Sequence, residues 1–542
     1  MSGGGARASQ DDRGATDAVG VLRDGRAALG IELGSTTIKA VLADPDGAVL
    51  AVGRSAWENA YVDRTWTYSL ESVESGLQEC VADLLRDCED RHGVRPTALG
   101  ALGVSAMMHG YLAFDAEGHL LVPFRTWRNT STGAAAEELT RELGYNVPLR
   151  WSVAHHYQAV LDAEPHVGDV DHLTTLAGYV HRRLTGRHVL GIGDASGMFP
   201  VDPVTGTYDA DRLTRYDALL AARGVGRPFA DLLPDVLPAG REAGRLTEAG
   251  ARLLDPTGGL VAGAPVAPPE GDAGTGMVAT NAVAPRTGNV SVGTSIFAMV
   301  VLERPLERVH PEIDLVTTPA GDLVAMVHCN NGASELGAWA GLLGELAGAL
   351  GHDGGADAVF AALLRAALDG EPDAGGVLAY NQLAGEPVLG SAGGRPLVVR
   401  TPDSRLTLAN FARAQVLGVF ATLGIGMETL AAEGVALDVL VAHGGLFRTE
   451  GVAQRLLAAA LGTPVAVGDS AAEGGAWGMA VLAGMLVDGG DRDLAAHLGE
   501  RVFAGQEPVV VAPDDADVEG YRTYLARYRA GLAVQAAAVE AL

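Results

Sequence analysis

Cysteine is scarce in this chain. Only Cys80, Cys88 and Cys329 occur among 542 residues, and their spacing is not that of metal ligands. An odd number of scattered cysteines argues against a disulfide framework and against a structural zinc site. We therefore expect the protein to work in a reducing compartment, and the predicted location is cytoplasmic.

Positive charge is scarce as well. The chain has 39 Lys and Arg residues against 67 Asp and Glu residues, which gives a formal net charge of -28. A surface this acidic repels a nucleic-acid backbone and an anionic membrane. Neither is expected as a partner, and an anionic substrate would require a local positive site.

Long apolar runs are also missing. Glycine, proline or a charged residue interrupts each apolar stretch, so no transmembrane span is predicted. Residues 1–27 mix Gly, Arg and Asp, and they lack the apolar core of roughly 7–15 residues that a signal peptide needs. We expect them to form a disordered N-terminal extension.

The chain does have size and a mixed pattern of strands and helices. At 542 residues, 48% of them hydrophobic, it is long enough for two or three well-buried domains. Ser69 is the predicted N-cap of a helix that extends to about residue 90, and a strand over residues 99–104 leads to His109. Together these elements predict the α/β class.

Two short turns carry the strongest functional signal. Gly34-Ser35-Thr36-Thr37 and Gly293-Thr294-Ser295 each lie between two strand-like runs. The glycine permits a tight turn, and the hydroxyls and main-chain N–H groups that follow are suited to phosphate oxygens. Ordinary hairpin turns are the alternative for either one alone. Their occurrence in both halves of the chain favours a duplicated fold that binds one phosphate chain.

Two further sites combine glycine with polar residues. Gly444-Gly445 lies between a predicted strand and a predicted helix, a geometry that lets backbone approach a ligand closely. Asp272 lies in a segment of small residues that would leave its carboxylate open to a cleft, as a general base requires. A helix N-cap is the alternative role for Asp272. Glu270 is its nearest rival as the base.

These motifs resemble those of the FGGY carbohydrate kinases, within the actin-like ATPase superfamily. Residues 30–41 resemble the first phosphate motif of that family. Four more segments match in the family's order: residues 103–110 the sugar-site strand of xylulokinases, Gly271-Asp272 the catalytic-base motif, Gly293-Thr294-Ser295 the second phosphate motif, and Gly444-Gly445 the adenosine motif. The resemblance covers about residues 28–485 and a Tyr-rich terminal helix.

The resemblance implies a fold of two actin-like (ribonuclease H-like) domains with the active site in the cleft between them. The domains would be residues 28–284, with the sugar site and first phosphate motif, and residues 285–490, with the second phosphate and adenosine motifs. Residues 491–542 would form a C-terminal helical tail.

The resemblance also assigns roles to individual residues. Asp272 would be the catalytic base, and Glu32, where the family usually has Asp, would hold hydrated Mg²⁺. The sugar would be bound by Met108, His109, Trp66, Trp127, Asn129 and Asp272. ATP would be bound by Gly34, Ser35, Thr36, Thr37, Lys39, Gly293, Thr294, Ser295, Gly332, Gly444 and Gly445.

Simpler roles stay open for several of these residues. Glu32 can face solvent at a sheet edge, Lys39 can face out of its strand, and the tryptophans can belong to the core. The chain also departs from the family pattern. Ala273 replaces an Asn or Gln that hydrogen-bonds the sugar, His443 replaces a third glycine, and Trp477 stands where smaller residues are usual.

The predicted function is therefore an ATP-dependent sugar kinase, most like a xylulokinase, that phosphorylates a terminal hydroxyl of a ketose or polyol. ATP, Mg²⁺ and a small sugar are the implied ligands. Three alternatives stay open: another FGGY kinase such as an L-ribulokinase, a non-kinase actin-like ATPase, and a protein that only binds sugar or nucleotide. The sequence also leaves a homodimer open.

Overall fold

The computed structural model describes residues 18–352, 355–468, 473–487, 489 and 492–542. The chain forms two compact units. The first contains the chain up to Val283 together with Leu315–Leu323 and Ala471–Gly505, and the second contains Ala284–Asp314, Val324–Ser470 and Gln506–Leu542. Residues 1–17 of the predicted N-terminal extension lie outside the described residues.

The strands of the described residues are numbered in chain order. They are β1 Ala28–Leu33, β2 Thr37–Ala43, β3 Val49–Ala56, β4 Ala60–Val62, β5 Thr65–Thr67, β6 Ala101–Ala106, β7 Leu112–Phe114, β8 His172–Thr174, β9 Val189–Gly191, β10 Val201–Asp202, β11 Thr207–Tyr208, β12 Asp235–Leu237, β13 Gly244–Arg245, β14 Pro265–Val266, β15 Glu270–Gly271, β16 Thr287–Val292, β17 Ile296–Val301, β18 Ile313–Thr317, β19 Leu323–Cys329, β20 Val377–Tyr380, β21 Leu397–Arg400, β22 Val439–His443, β23 Val465–Val467 and β24 Val509–Val511.

The helices are numbered in the same way, beginning with residues 18–23 as α1. The others are α2 Leu70–His92, α3 Gly133–Leu143, α4 Ser152–Leu161, α5 Leu176–Thr185, α6 Ile192–Ala195, α7 Ala210–Ala222, α8 Glu248–Leu254, α9 Asp272–Ala279, α10 Ser334–Ala349, α11 Gly355–Leu368, α12 Leu408–Ala432, α13 Val452–Leu461, α14 Gly474–Val487, α15 Leu494–His497 and α16 Asp515–Ala541.

The first unit is built on a seven-stranded sheet. Its order is β13-β14-β6-β1-β2-β3, and β15 pairs with the end of β6. Strands β1, β2 and β3 form an antiparallel meander, whereas β6 runs parallel to β1 and β15 runs parallel to β6. The carboxyl ends of β1, β6 and β15 therefore meet at one edge of the sheet, where α/β proteins commonly bind ligands.

Helix α2 confirms the predicted capping. The Ser69 hydroxyl accepts the Ser72 N–H at 3.1 Å, and the helix ends at Gly93 in the left-handed conformation with φ 64°. The apolar face includes Val73, Leu77 and Val81, all buried in the core of the unit.

Ordered structure begins before the predicted start of the first domain at residue 28. Residues 18–23 are helical, and Val21 and Leu22 are buried in the same core as α2. This part of the predicted disordered extension is folded because its apolar side chains have a core surface to cover.

Helix α14 belongs to the first unit, although its sequence falls within the predicted second domain of residues 285–490. It is apolar on all sides and packs against β1, β6 and α9. The backbones approach so closely that a Cβ on Gly30 would lie 2.1 Å from the Ala476 carbonyl oxygen, and one on Gly478 would lie 2.2 Å from the Thr275 carbonyl oxygen. Close packing of this kind requires glycine at both contacts.

The second unit repeats the plan of the first. Its sheet has the order β18-β19-β17-β16-β22-β23-β24. Strand β16 pairs antiparallel with β17 around the Gly293 turn and parallel with β22, just as β1 pairs with β2 around the Gly34 turn and with β6. The duplicated α/β plan predicted from the sequence is confirmed in this topology.

The residues from 491 onward are not only a helical tail. Val509–Val511 forms β24, which pairs antiparallel with β23 at the sheet edge, because a run of β-branched residues favours a strand. Helix α16 follows, with its Tyr521, Tyr524 and Tyr528 side chains buried.

One helix of the described residues, α12, is long and apolar enough to span a membrane, and 72% of its most apolar window is buried inside the protein. Burial of that extent is typical of a core helix.

The contact between Gly30 and α14 yields a stability prediction. We expect Gly30→Ala to destabilise the protein by about 1–3 kcal/mol, because the new Cβ meets rigid backbone. Gly133→Ala is the matched control, since no atom lies within 4 Å of its Cβ position, and it should stabilise by up to about 1 kcal/mol. Urea unfolding measures both. Equal stability of the two variants would contradict the proposed packing constraint.

Candidate active site

Two aromatic side chains hydrogen-bond to the backbone of the first phosphate turn. The Trp57 indole N–H donates to the Gly34 carbonyl at 2.7 Å, and the Tyr68 hydroxyl donates to the Ser35 carbonyl at 2.7 Å. The two rings stack with centroids 4.2 Å apart. With these carbonyls engaged, Ser35 and Thr36 remain exposed at the tip of the turn, available to a ligand.

Glu32 lies at the carboxyl end of β1, next to the start of α14. A Cβ on Gly475 would lie 2.2 Å from Glu32 Oε1, so the carboxylate is seated against the helix backbone, and it accepts the Ala476 N–H. Burial, with the nearby negative charge of Asp272, raises the pKa of Glu32 to about 7. A cation bound here would favour the ionised form.

Lys39 is paired rather than pointing freely into solvent. It lies opposite Glu32 in the β1–β2 ladder, and its Nζ is 3.4 Å from Glu473 Oε2. Glu473 also receives the Arg54 guanidinium at 2.6 Å. The structure thus places two cations and one carboxylate beside the first phosphate turn.

Asp272 is the first residue of α9, directly after β15. Gly271 occupies the N-cap position, so the alternative role of Asp272 as an N-cap is not the one it has. Its Oδ1 accepts the Met108 N–H at 3.1 Å. The side chain keeps solvent access, yet its packed surroundings remove enough water to raise its pKa above the ordinary value. An accessible carboxylate fixed in this way can accept a proton.

Glu270, the rival of Asp272, is buried. Its two carboxylate oxygens accept the N–H groups of Gly193 at 3.3 Å and Asp194 at 3.0 Å. Only 1% of its surface is exposed, so it has no open path to a substrate. Asp272 is therefore the better candidate for a base.

Met108 and His109 follow β6 in a turn that depends on glycine neighbours. His109 has a left-handed backbone with φ 70°, and its ring stacks on Trp151 with centroids 6.3 Å apart. A Cβ on Gly197 would lie 2.6 Å from His109 Nδ1, and one on Gly271 would lie 2.0 Å from Met108 Cγ. The two glycines thus provide the space that lets this pair lie beside Asp272.

Trp66 and Trp127 lie on the same side of the unit as His109. Tyr111 pairs with Arg125 in antiparallel sense, so the residues before Tyr111 run alongside those after Arg125. Trp127 is 40% exposed. Trp66 is half-buried beneath the Arg128 guanidinium, 4.0 Å from its ring centroid. An exposed ring such as that of Trp127 suits the C–H faces of a polyol, whereas the Trp66 ring is covered in part by Arg128.

The Asn129 side chain is engaged with the backbone of Trp66. Its Oδ1 accepts the Trp66 N–H and its Nδ2 donates to the Trp66 carbonyl, both at 2.8 Å. With 7% of its surface exposed, the amide is engaged with backbone. Asn129 positions Trp66 because both ends of its amide are already bonded.

The second unit brings its own predicted ligands together. The N–H groups of Gly332 and Ala333 donate to the carbonyls of Thr294 and Gly293 at 2.7 and 2.8 Å. Thr294 itself is exposed. Gly444, with φ 111°, lies so close to the end of β16 that a Cβ would be 2.4 Å from the Val292 carbonyl oxygen. The second phosphate turn, Gly332 and the adenosine motif therefore form one cluster.

Trp477 and His443, which also depart from the family pattern, have different environments. Trp477 lies in the first unit, where its indole N–H donates to the Gly47 carbonyl at 2.7 Å. His443 ends β22 opposite Ser291. Burial lowers the pKa of His443, which favours the neutral imidazole.

Several residues of the site were missed by the sequence analysis. Trp57 and Tyr68 support the first phosphate turn, Glu473 pairs with Lys39, and Asp194 lies beside Glu270. Each of them acts through a tertiary contact and not through its neighbours in the sequence. Only the pairing of a Gly-rich turn with nearby aromatics could have pointed to Trp57.

A magnesium ion would depend on few protein ligands. Among the described residues, no group of three or more His, Cys, Asp or Glu side chains has the arrangement of a metal site. Glu32 nevertheless fits Mg²⁺, because this ion is commonly held by one or two carboxylates together with substrate phosphates and water.

The fold and the two clusters define the class of the protein: a mixed α/β protein of two sheet-containing units with the actin-like plan. Sequence models agree at the level of the family. The "FGGY family of carbohydrate kinases, N-terminal domain" matches residues 27–279, and the corresponding C-terminal domain matches residues 288–487. The chain belongs to the FGGY family of carbohydrate kinases.

Individual relatives are distant. The chain is 25% identical over 296 residues to xylulose kinase of Escherichia coli (strain K12), covering 52% of this chain and 56% of the relative. It is 24% identical over 311 residues to an autoinducer-2 kinase of Klebsiella pneumoniae, covering 54% and 53%. These matches span about half the length of the curated relatives.

Solved structures agree on the fold over a longer stretch. The crystal structure of xylulose kinase from Rhodospirillum rubrum superposes with a TM-score of 0.76 and 20% identity, covering 94% of this chain and 99% of that one. A likeness at this identity concerns the fold.

The packing of Gly332 yields a prediction for nucleotide binding. We expect Gly332→Ala to weaken ADP binding by roughly 10-fold or more, because a Cβ 2.3 Å from the Gly293 carbonyl oxygen must displace the phosphate turn. Gly337→Ala, in α10 with no atom within 4 Å of its Cβ position, is the control. Calorimetric titration measures both. Wild-type affinity in Gly332→Ala would remove this turn from the nucleotide site.

Proposed function

We propose that the protein is an ATP-dependent sugar kinase, most like a xylulokinase, that transfers the γ-phosphoryl group to a terminal hydroxyl of a ketose or polyol. The observation that supports the proposal is the position and exposure of the Asp272 carboxylate. This accessible carboxylate is fixed by the Met108 N–H next to His109, at the edge of the sheet that also holds Glu32 and the Gly34 turn.

In this reaction, Asp272 accepts the proton of the attacking sugar hydroxyl. The sugar oxygen forms a bond to the γ-phosphorus while the bond between that phosphorus and the bridging β–γ oxygen breaks, and ADP leaves. The transition state is loose, so the protein contributes mainly position and charge. Asp272 contributes to the chemical step by removing the hydroxyl proton during the transfer.

The other residues bind and orient the two substrates. The exposed Ser35, Thr36 and Thr294 supply hydroxyls to phosphate oxygens, and Lys39 supplies positive charge beside the first turn. Glu32 would hold Mg²⁺, which when bound neutralises the phosphate charge. Met108, His109, Trp66 and Trp127 form the sugar side of the site.

The identity of the sugar depends on a small number of contacts. Ala273 cannot hydrogen-bond a sugar hydroxyl as an Asn or Gln at this position would, so D-xylulose loses one of its expected partners. An L-ribulokinase-like specificity is the second candidate.

The reducing location inferred from the cysteines favours a cytoplasmic enzyme, in keeping with its metabolic relatives.

Sugar-dependent release of ADP tests the proposal. The assay uses ATP and Mg²⁺ with a panel of pentuloses, hexuloses and polyols. ADP release that requires one of these sugars supports the kinase. Release without any sugar supports a non-kinase ATPase, and no release with intact ATP binding supports a binding protein.

Replacing Asp272 tests its role as the base. Asp272→Asn should lower kcat by roughly 10²-fold or more with little change in ATP affinity, because the amide cannot accept the proton. Asp231→Asn, at an exposed position of the same unit, serves as the control. Steady-state kinetics and ATP titration measure the effect. Near-wild-type turnover in Asp272→Asn would end this assignment.

His109 should affect the sugar and not the nucleotide. His109→Ala is expected to raise KM for the sugar about 5–10-fold, because it removes one hydrogen bond worth about 1 kcal/mol, and to leave KM for ATP nearly unchanged. His119→Ala, with an exposed side chain, is the control. A variant that loses ATP affinity and keeps its sugar affinity would move the sugar pocket to another part of the unit.

A further inference from the structure

Two buried carboxyl groups lie behind Asp272 and have no part in the proposed chemistry. Glu270 and Asp194 are each 1% exposed. The Thr175 hydroxyl donates to Asp194 Oδ2 at 2.6 Å, whereas Asp194 Oδ1 is buried and has no hydrogen-bond partner among the residues that the structure describes. Such an oxygen is costly to bury as an ion and much less costly when the carboxyl group carries a proton.

The surroundings of Glu270 are shaped around its carboxyl group. Cβ atoms on Gly191 and Gly193 would lie 2.2 and 2.3 Å from its oxygens, so only glycine leaves room at either position. The N–H groups of Gly193 and Asp194 complete this cradle. Because Glu270 pairs with Ser105 in the ladder and Asp272 follows two residues later, the cradle fixes the backbone that carries Asp272.

The charges around the pair come from acids and a phenol. In addition to burial, the negative charge of Asp272, in α9, raises the pKa of Asp194, and the negative charge of Asp194 raises the pKa of Glu270. Burial, with the negative charges of Asp194 and of Asp235 in β12, raises the pKa of the Tyr208 hydroxyl in β11. Thr175, the N-cap of α5, contributes a neutral hydroxyl. Two buried carboxyl groups with such neighbours cannot both ionise easily.

We propose that the buried pair of Glu270 and Asp194 retains one proton near neutral pH and acts as a positioning pair for Asp272. This inference rests on the proposed function only for the role of Asp272 as the base. The retained proton keeps a second negative charge away from Asp272, and the cradle keeps its backbone in place. Glu270 is thus a positioning residue and not a second base.

The direction of the pH dependence follows from the burial. Burial, together with the charge of Asp194, raises the pKa of Glu270 from an ordinary value of 4.5 to about 8. Between these values, the folded protein holds a proton that the unfolded chain has released, so stability falls as pH rises through this window. Burial raises the pKa of Asp194 to about 7, which acts in the same direction.

Glu270→Gln separates this arrangement from a simple ionised anchor. The amide keeps an oxygen for the backbone N–H groups but cannot ionise. We expect its Tm to approach that of the wild type near pH 5 and to exceed it increasingly toward pH 8.5, and Asp194→Asn to behave in the same direction. Glu248→Gln, on an exposed residue, is the control that should show no such trend. Were Glu270 ionised in the fold, the amide variant would lose stability most at high pH, which would overturn the proposal.

Kinetics test the positioning role. Glu270→Gln should keep kcat within about threefold of wild type near pH 6.5 and retain activity to higher pH. Glu270→Ala, which empties the cradle, should lower kcat roughly 10–100-fold without a matching change in KM for ATP. Full activity of Glu270→Ala would overturn the positioning role. The thermal measurements need no substrate, so failure of the kinase proposal in the sugar panel leaves the test of the retained proton intact.

Discussion

The parallel pairing of β1, β6 and β15 is the constraint on which the first unit's site depends. Parallel strands deliver their carboxyl ends to one edge, and the register aligns Glu32 with Ser105 and Ser105 with Glu270. The segments that follow the three strands are the Gly34 turn, the Met108-His109 turn and the start of α9 at Asp272. The backbone hydrogen bonds between these strands set the spacing of the segments that follow them. The strand pairing alone therefore brings these segments together.

Glycine is the second condition of this geometry. Met108, His109 and the carboxyl group of Glu270 each occupy space that a single methyl group on a neighbour would take. The same holds for the second phosphate turn, which lies against Gly332. These side chains thus approach backbone at distances that other residues would forbid, and their orientation is set by rigid contacts rather than by flexible packing.

Much of this arrangement could be predicted from the sequence because its signals are local. A glycine followed by hydroxyl residues between two strand-like runs predicted the turns at Gly34 and Gly293, and Ser69 predicted the start of α2. The side chains that support the Gly34 turn could not be predicted from local signals, since Trp57 and Tyr68 act through tertiary contacts. The sheet against which α14 packs could not be predicted either. A helix that is apolar on every face carries no periodicity to show which sheet it covers.

The position of α14 has a consequence for how the chain is made. The face of the first sheet that it covers is synthesised early, whereas the helix itself leaves the ribosome only after β16 to β23 of the second sheet. Until then, the close-fitting glycines of β1 and β6 have no partner, and apolar surface stays in water. We expect the nascent first half to depend on chaperones or on slow translation at this stage, and a gene divided between the two units to yield an incomplete first half.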